Sequence, residues 1–380
     1  MTPSRRKFLK IAGSSAVILA AGAGTFAATR TPEDALAPWS EAGSGPTPIE
    51  TALSYAVLAP NPHNRQPWLV DLKGGTEAVL YCEPERRLPV TDPFDRQITI
   101  GLGCFLELLK IAAAEQGYNA EITAFPEGQP DPRLDARPVA HVKLVKGQVE
   151  ADPLFAQIPN RRSNKDPYDD TRLLPKADVA QIKAAAGSAI SAKTILDEPG
   201  VAELRDLTWQ AFEREMRTPA ALQESIDLMR IGRAEIEANP DGIDLGGLKL
   251  ELLSLAGILN RESMADPNSA AFAEGINMYR PVIGTAMGYL VLTTDANSRT
   301  EQLAAGAAYV RANLKATALG ISMQPLSQIL QEYDEVADLY KAGHDLLAPG
   351  GGRVQMLARL GYGQPVAPSP RWRAKTRIKT

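Results

Sequence analysis

The chain has 380 residues, an ordinary apolar content of 44% and a formal charge of −4. That is enough for a sizeable core in two domains, or in one domain with an elaboration. The first 23 residues hold Arg5, Arg6, Lys7 and Lys10 and no acid, so the remainder carries −8, and an acidic body argues against a nucleic-acid partner.

Ser4-Arg-Arg-Lys-Phe-Leu-Lys10 precedes an apolar run from Ile11 to Ala23 that is too short to span a bilayer as a stable helix. Ala21-Gly-Ala23 offers a small-x-small cleavage site. The paired arginines before Phe-Leu-Lys resemble the twin-arginine (Tat) export signal. Residues 1–23 are therefore expected to be a signal peptide read by the Tat machinery, giving a periplasmic or otherwise exported protein with no stable membrane span after signal removal. Tat export carries folded proteins, which favours a cofactor bound before export. The other reading is an Arg-rich disordered start with an uncleaved anchor. No further segment reads as long and apolar enough to cross a membrane. Residues 24–47, rich in Gly, Ala, Thr and Pro, read as a linker or a loosely docked arm.

Residues 48–151 form the first expected half. Pro48 to Leu58 reads as a short helix leading into Pro60-Asn-Pro-His-Asn-Arg-Gln-Pro-Trp68. Pro60, Pro62 and Pro67 stiffen that loop, and Asn61, His63, Asn64 and Gln66 line it with donors and acceptors. Trp68–Leu72 and Ala78–Cys82 around Gly74-Gly75 read as a hairpin. Asp95 to Gly117 reads as a strong helix, and 120–125 and 139–145 as strands. Cys82 and Cys104 are the two cysteines; they pair in an oxidising compartment or stay as buried free thiols. No metal-ligand motif is present.

Residues 152–380 form the second expected half. Pro175 to Ala186 reads as a helix, Met287 to Thr294 as a buried strand, and Thr300 to Gly320 as a second strong helix. Gly101–Lys110 and Gly306–Lys315 both run Gly-x8-Lys, which suggests a repeat. An insertion at 198–277 is read as helices 201–216, 219–237 and 246–260, broken at Asn239-Pro-Asp-Gly242. The third is apolar nearly all round, so it is expected to be covered. It reads as a cap or as a packing layer.

Ala59-Pro60-x-x-His63-Asn64-x-Gln66-Pro67-Trp68 resembles the Ala-Pro-Ser-x-x-Asn-x-Gln-Pro-Trp segment of the FMN-dependent nitroreductase family, with Asn61 where Ser is usual. Arg161-Arg-Ser-Asn-Lys165 is similar to that family's Arg-x-Ser-x-Arg/Lys signature, Pro325-Leu-Ser-Gln328 to its ring-side Pro-x-x-Gly, and Arg371-Trp-Arg373 to its late basic pair. The resemblance implies FMN as cofactor. Arg161, Arg162, Ser163, Arg371 and Arg373 would bind its phosphate, and Lys165 would sit at the ring's carbonyl edge. Pro60, Asn61, Pro62, His63, Asn64, Gln66, Pro325, Leu326, Ser327 and Gln328 would lie along the ring. The loop stands in one half and the phosphate signature in the other, which is similar to the single-chain, duplicated Acg-like branch. The implied fold class is α+β: two related halves, each with a mixed, mostly antiparallel sheet flanked by helices, plus a helical cap. The implied activity is an oxidoreductase taking electrons from a small-molecule donor to an electron-poor acceptor, a nitroaromatic or a quinone, with the flavin itself doing the chemistry. The rival reading is a non-catalytic protein that holds a covered FMN.

Overall fold

The computed structural model describes residues 31–379. The signal expected at 1–23 and the first part of the linker lie outside the described residues. The rest of that linker is not an open tether. It carries helix α1 (Glu33–Ser40), whose Trp39 is only 9% exposed.

Helix α2 (Pro48–Ala56) starts with Pro48 at its first position and Thr47 as the cap, whose hydroxyl accepts from the Glu50 N–H. Strands β1 (Trp68–Leu72) and β2 (Glu77–Cys82) form the expected hairpin, with Trp68 opposite Cys82. Helix α3 (Arg96–Glu115), β3 (Tyr118–Ala124) and β4 (Ala140–Lys146) complete this part. The sheet order is β1-β2-β4-β3, antiparallel throughout.

Helix α4 (Lys176–Ala185) and β5 (Ser191–Ile195) lead into the insertion. It contains α5 (Glu198–Arg217), α6 (Pro219–Asp227), β6 (Met229–Ile231), α7 (Gly232–Ala238), β7 (Ile243–Leu245), α8 (Leu248–Leu255), α9 (Arg261–Ala265) and α10 (Ala270–Gly284). The helix expected at 219–237 is thus split, because residues 229–231 pair in parallel with β7. The third expected helix is shorter than its pattern and is not covered: Leu252, Leu255 and Ile258 are 50%, 70% and 59% exposed.

Then come β8 (Gly288–Thr294), α11 (Arg299–Ala318), β9 (Ser322–Pro325), α12 (Ala337–Leu347) and β10 (Arg353–Gly361). The second sheet runs β5-β8-β10-β9, again antiparallel. Both sheets therefore place their first, second, fourth and third strands side by side, with a 20-residue helix between the second and third. The α+β class expected from the sequence is what the chain adopts.

The helices α3 and α11 pack against each other at the centre. A Cβ on Gly103 would lie 2.1 Å from the Leu303 carbonyl oxygen, and one on Gly306 would lie 2.0 Å from that of Ile100. Only glycine permits so close a backbone approach. The pairs Ile100/Leu303, Gly103/Gly306 and Gly117/Gly320 keep one offset, and so do the helix starts Arg96 and Arg299. This offset differs by two residues from that of the Gly-x8-Lys match: it sets Lys110 against Asn313 and not against Lys315. Cys104 donates its thiol to the Gly306 carbonyl in this seam, and both cysteines are buried and unpaired. α3 has the length and apolarity to cross a membrane, contrary to the reading that no such segment follows the signal, but it is largely buried as the core helix of the first half.

The C-terminal residues return to the first sheet. Ile378 bridges in parallel to Val70, and Arg377 donates to the Trp68 carbonyl at 3.1 and 3.2 Å. The tail thereby passes the loop that precedes β1.

Candidate functional site

The loop before β1 is held in an unusual backbone state. His63, Asn64 and Gln66 have φ of 47°, 52° and 49°. Left-handed conformations in residues with a Cβ cost on the order of 1–2 kcal/mol each, and they persist only where the surroundings fix them. Asn61 fixes the loop from within: its Oδ1 accepts from Gln66 N–H at 2.7 Å, and its Nδ2 donates to the Ala59 carbonyl at 3.1 Å. Asn61 and Pro62 also rest on α3, where a Cβ on Gly101 would meet them at 3.0 and 3.2 Å.

Two other segments clamp the loop. Gln66, fully buried, donates through Nε2 to the Pro240 carbonyl at 2.7 Å and accepts at Oε1 from Trp372 N–H at 2.9 Å. Asn64 Nδ2 donates to the Pro370 carbonyl at 2.9 Å, and its own carbonyl accepts from Gly242 N–H. Asp241, between these contacts, receives Arg65 at 3.1 Å, Arg86 at 2.5 Å and Arg230 at 2.8 Å. The Asn239–Gly242 break in the insertion is therefore a clamp on the loop. Gln66 has both ends of its amide engaged with backbone.

The phosphate-signature arginines meet beside this loop. Arg161 is 2% exposed; it donates to Asn313 Oδ1 at 3.2 Å and to the Leu58 carbonyl at 3.0 Å. Arg371 is 3% exposed and donates to the Leu58 and Ala59 carbonyls at 3.5 and 3.2 Å. Arg162 stacks on Trp39 with its guanidinium carbon 4.5 Å from the ring centre; Arg371 and Arg161 lie 5.7 and 6.0 Å from it. No carboxylate among the described residues pairs with any of the three. Burial pulls the Arg161 guanidinium down to about 10, and repulsion from Arg162 adds to this. Burial, then Arg161 and Arg162, lowers Arg371 well below its ordinary value. Three neighbouring cations without an anion form an electrostatically incomplete site.

Unpaired buried atoms mark the same place. Arg161 Nε, Arg371 Nε, His63 Nδ1, Asn64 Oδ1 and Trp372 Nε1 have no hydrogen-bond partner among the described residues. Buried polar atoms are almost always paired, so such a group points to a missing ligand. A dianion with several acceptor oxygens fits the guanidinium end. A polar-edged planar group fits the loop end. Burial, then Lys165 and Arg65, pulls His63 down to about 4, so its imidazole is neutral and Lys165, though exposed, lies close to the loop.

Other expected residues are placed differently. Arg373 does not join the guanidinium cluster; it pairs with Glu41 at 3.0 Å and Asp34 at 3.2 Å on and just after α1. Pro325 lies opposite Ala358 in the second sheet, and Leu326 N–H donates to the Leu357 carbonyl. Gln328 reaches the buried Glu215 of α5. No hydrogen bond among the described residues joins 325–328 to the loop. Just upstream of that segment, Asn164 Nδ2 donates to Ser322 Oγ at 3.2 Å. Ser163 is half-buried beside the arginines, and Pro60 is buried in the loop. Sequence reasoning missed Trp39, Asn313 and Arg359. Arg359 lies in β10, fully buried, and donates to Gln324 and to the Val282, Asn164 and Asp166 carbonyls, which fixes the segment after the signature. Gly361 is glycine because a Cβ there would lie 2.3 Å from the Tyr168 ring.

The fold and site define an α+β protein with two like sheets and a cluster of three guanidiniums beside the loop before β1. Residues 158–362 match the nitroreductase family, and the chain belongs to that family. Rv3131 of Mycobacterium tuberculosis H37Rv, named provisionally as an NAD(P)H nitroreductase, is 28% identical over 335 residues, 85% of this chain and 88% of that one. The acg protein of the same strain, also named provisionally as an NAD(P)H nitroreductase, is 35% identical over 78 residues, 20% of this chain and 23% of its own. Among solved structures, the FMN-dependent nitroreductase NfnB of Mycobacterium smegmatis aligns over 55% of this chain and 86% of its own, with 17% identity and a TM-score of 0.34.

Proposed function

We propose that this chain is an exported FMN-dependent oxidoreductase of the nitroreductase type, in which two related halves of one polypeptide hold one FMN. The observation that carries the reading is the buried Arg161–Arg371 pair, joined at the Leu58 carbonyl, with an unpaired Nε on each and no carboxylate nearby. That chemistry suits a terminal phosphate. Arg162 and Ser163 stand beside it. His63, Asn64 and Lys165 supply polar groups for the ring edge, while Pro60, Asn61 and Pro62 shape the loop and Gln66 braces it. Pro325–Gln328 is assigned to the ring from the family pattern. Arg373 acts on α1 and not on the phosphate.

When bound, FMN supplies the electron transfer from a small-molecule donor to an electron-poor acceptor such as a nitroaromatic or a quinone. The chain's own residues bind, orient and exclude water; no side chain needs to act as acid or base. The matching strand orders and the constant offset between α3 and α11 support an internal duplication, with halves at 48–151 and 152–380 and an insertion at 198–277. Asn313 faces Arg161, whereas its counterpart Lys110 is exposed and beside Glu107, which supports one site per chain. The reading includes Tat export of residues 24–380, to the periplasm or otherwise across the membrane.

The absorption spectrum of the purified protein tests the proposal. A flavin spectrum that bleaches with NAD(P)H or dithionite and recovers with a nitroaromatic or quinone supports it. Arg161→Glu should release the flavin; an unchanged content removes the phosphate assignment. A second reading, a protein that holds FMN without turnover, is favoured by the clamp of Pro240–Gly242 on the loop. Bound flavin that bleaches with dithionite but with no nicotinamide would select it.

A further inference from the structure

We propose that Trp39 is a cofactor-retaining residue: α1 roofs the guanidinium cluster, and its indole must lift before a phosphate held there can leave. The proposal rests on the FMN reading above. Three guanidiniums from two distant segments converge on this one ring, Arg162 at 4.5 Å, Arg371 at 5.7 Å and Arg161 at 6.0 Å. The indole is 9% exposed, and its N–H donates to the Ser369 carbonyl at 2.8 Å. The roof is tied down along its length. Ala35 N–H donates to Glu237 Oε2 at 3.0 Å, and the Ala35 carbonyl accepts from Arg371 N–H at 2.8 Å. Arg373 latches Glu41 and Asp34. The ring is positioned against the guanidinium carbons, while Arg161 Nε and Arg371 Nε remain unpaired, so the indole does not use the donors that an anion needs. An aromatic face also offsets part of the mutual repulsion of the cations. The latches are polar and partly exposed, so the arm is released more readily than the core beneath it.

FMN release from the loaded protein tests this, followed as recovery of free-flavin fluorescence after dilution. Trp39→Ala should release FMN at least about tenfold faster than wild type, and Trp39→Phe, which keeps an aromatic face, should stay within about threefold. Unlatching the arm by Asp34→Asn with Glu41→Gln should speed release in the same direction without touching the indole. Trp39→Ala with an unchanged or slower release rate, while Arg161→Glu still loses FMN, overturns the roof alone; slower release would make the indole a competitor of the phosphate. A wild-type protein that neither contains nor takes up FMN overturns the flavin reading and the roof together.

Discussion

Arg161 and Arg371 donate to one acceptor, the Leu58 carbonyl, at 3.0 and 3.5 Å. The arrangement brings two buried like charges together on Leu58, just ahead of the Pro-rich loop. One carbonyl offsets little of their repulsion, so the ligand-free protein is stabilised when one charge is removed, whereas the ligand-bound protein is not. Arg371→Met should raise the melting temperature of flavin-free protein, by an amount corresponding to about 1–3 kcal/mol. It should lower that of protein saturated with FMN relative to saturated wild type. Calorimetry with and without FMN gives both numbers, and a fall in both states would mean that Arg371 is merely a structural hydrogen-bond donor.

The α3–α11 seam makes an equally direct prediction. Gly103→Ala and Gly306→Ala each press a methyl group into a carbonyl oxygen of the facing helix, at 2.1 and 2.0 Å. The helices have to separate, and each change should cost roughly 3 kcal/mol in urea unfolding. Gly275 in α10 is the control, because a Cβ there meets nothing within 4 Å. Gly275→Ala should stabilise by about 0.5–1 kcal/mol through helix propensity alone. Unequal costs at Gly103 and Gly306 would count against the constant offset.

Asp241 tests the clamp. It is 6% exposed and faces Arg65, Arg86 and Arg230. Asp241→Asn leaves Arg65 and Arg230 without their carboxylate and Arg86 with Glu83 alone, at a cost of roughly 3–5 kcal/mol. The backbone of 60–68 should open first, since its left-handed residues depend on this contact. Hydrogen exchange at Gln66 and Trp68 reads that directly, and unchanged protection in the variant would show that the loop holds its own shape.

Much of this was legible in the sequence. The hairpin and the two long helices follow from periodicity and glycine stops, both of them local, whereas the signature segments and their order came from the family resemblance. The convergence of Arg161 and Arg371 was legible from the family resemblance. What escaped was set by tertiary partners. Trp39 sits in a stretch whose composition resembles a tether, and contacts from distant segments, Glu237, Ser369 and the guanidiniums, hold its helix in place. Arg373 carries the same local signal as Arg371, but Asp34 and Glu41 claim it. The leucines of α8 obey a burial pattern, yet Leu252 and Leu255 are 50% and 70% exposed among the described residues. The Gly-x8-Lys match follows a shared lysine, whereas the helices meet at Gly103 and Gly306, and backbone contact is visible only in three dimensions.

His63 gives a pH-dependent signature that separates the loop from the rest of the molecule. Its imidazole is held down at about 4, mainly by burial and then by Lys165 and Arg65, against an ordinary value near 6.5. The unfolded chain therefore binds a proton at a pH where the folded chain does not. His63 contributes fully above about pH 6.5, and that contribution is lost as pH falls toward 4. Asp92 runs the other way in an overlapping window: burial raises its carboxyl to about 6, so the stability it contributes in acid is lost as pH rises from about 4 to 6. Total stability mixes the two, and the difference between wild type and His63→Asn isolates the imidazole. Asn suits the left-handed backbone at this position. Relative to that variant, wild type should lose about 2 kcal/mol between pH 7 and pH 4.5, measured by urea unfolding at each pH. Asp92→Asn should leave this difference unchanged. A flat difference curve would place His63 in water, and with it the polar end of the proposed flavin site.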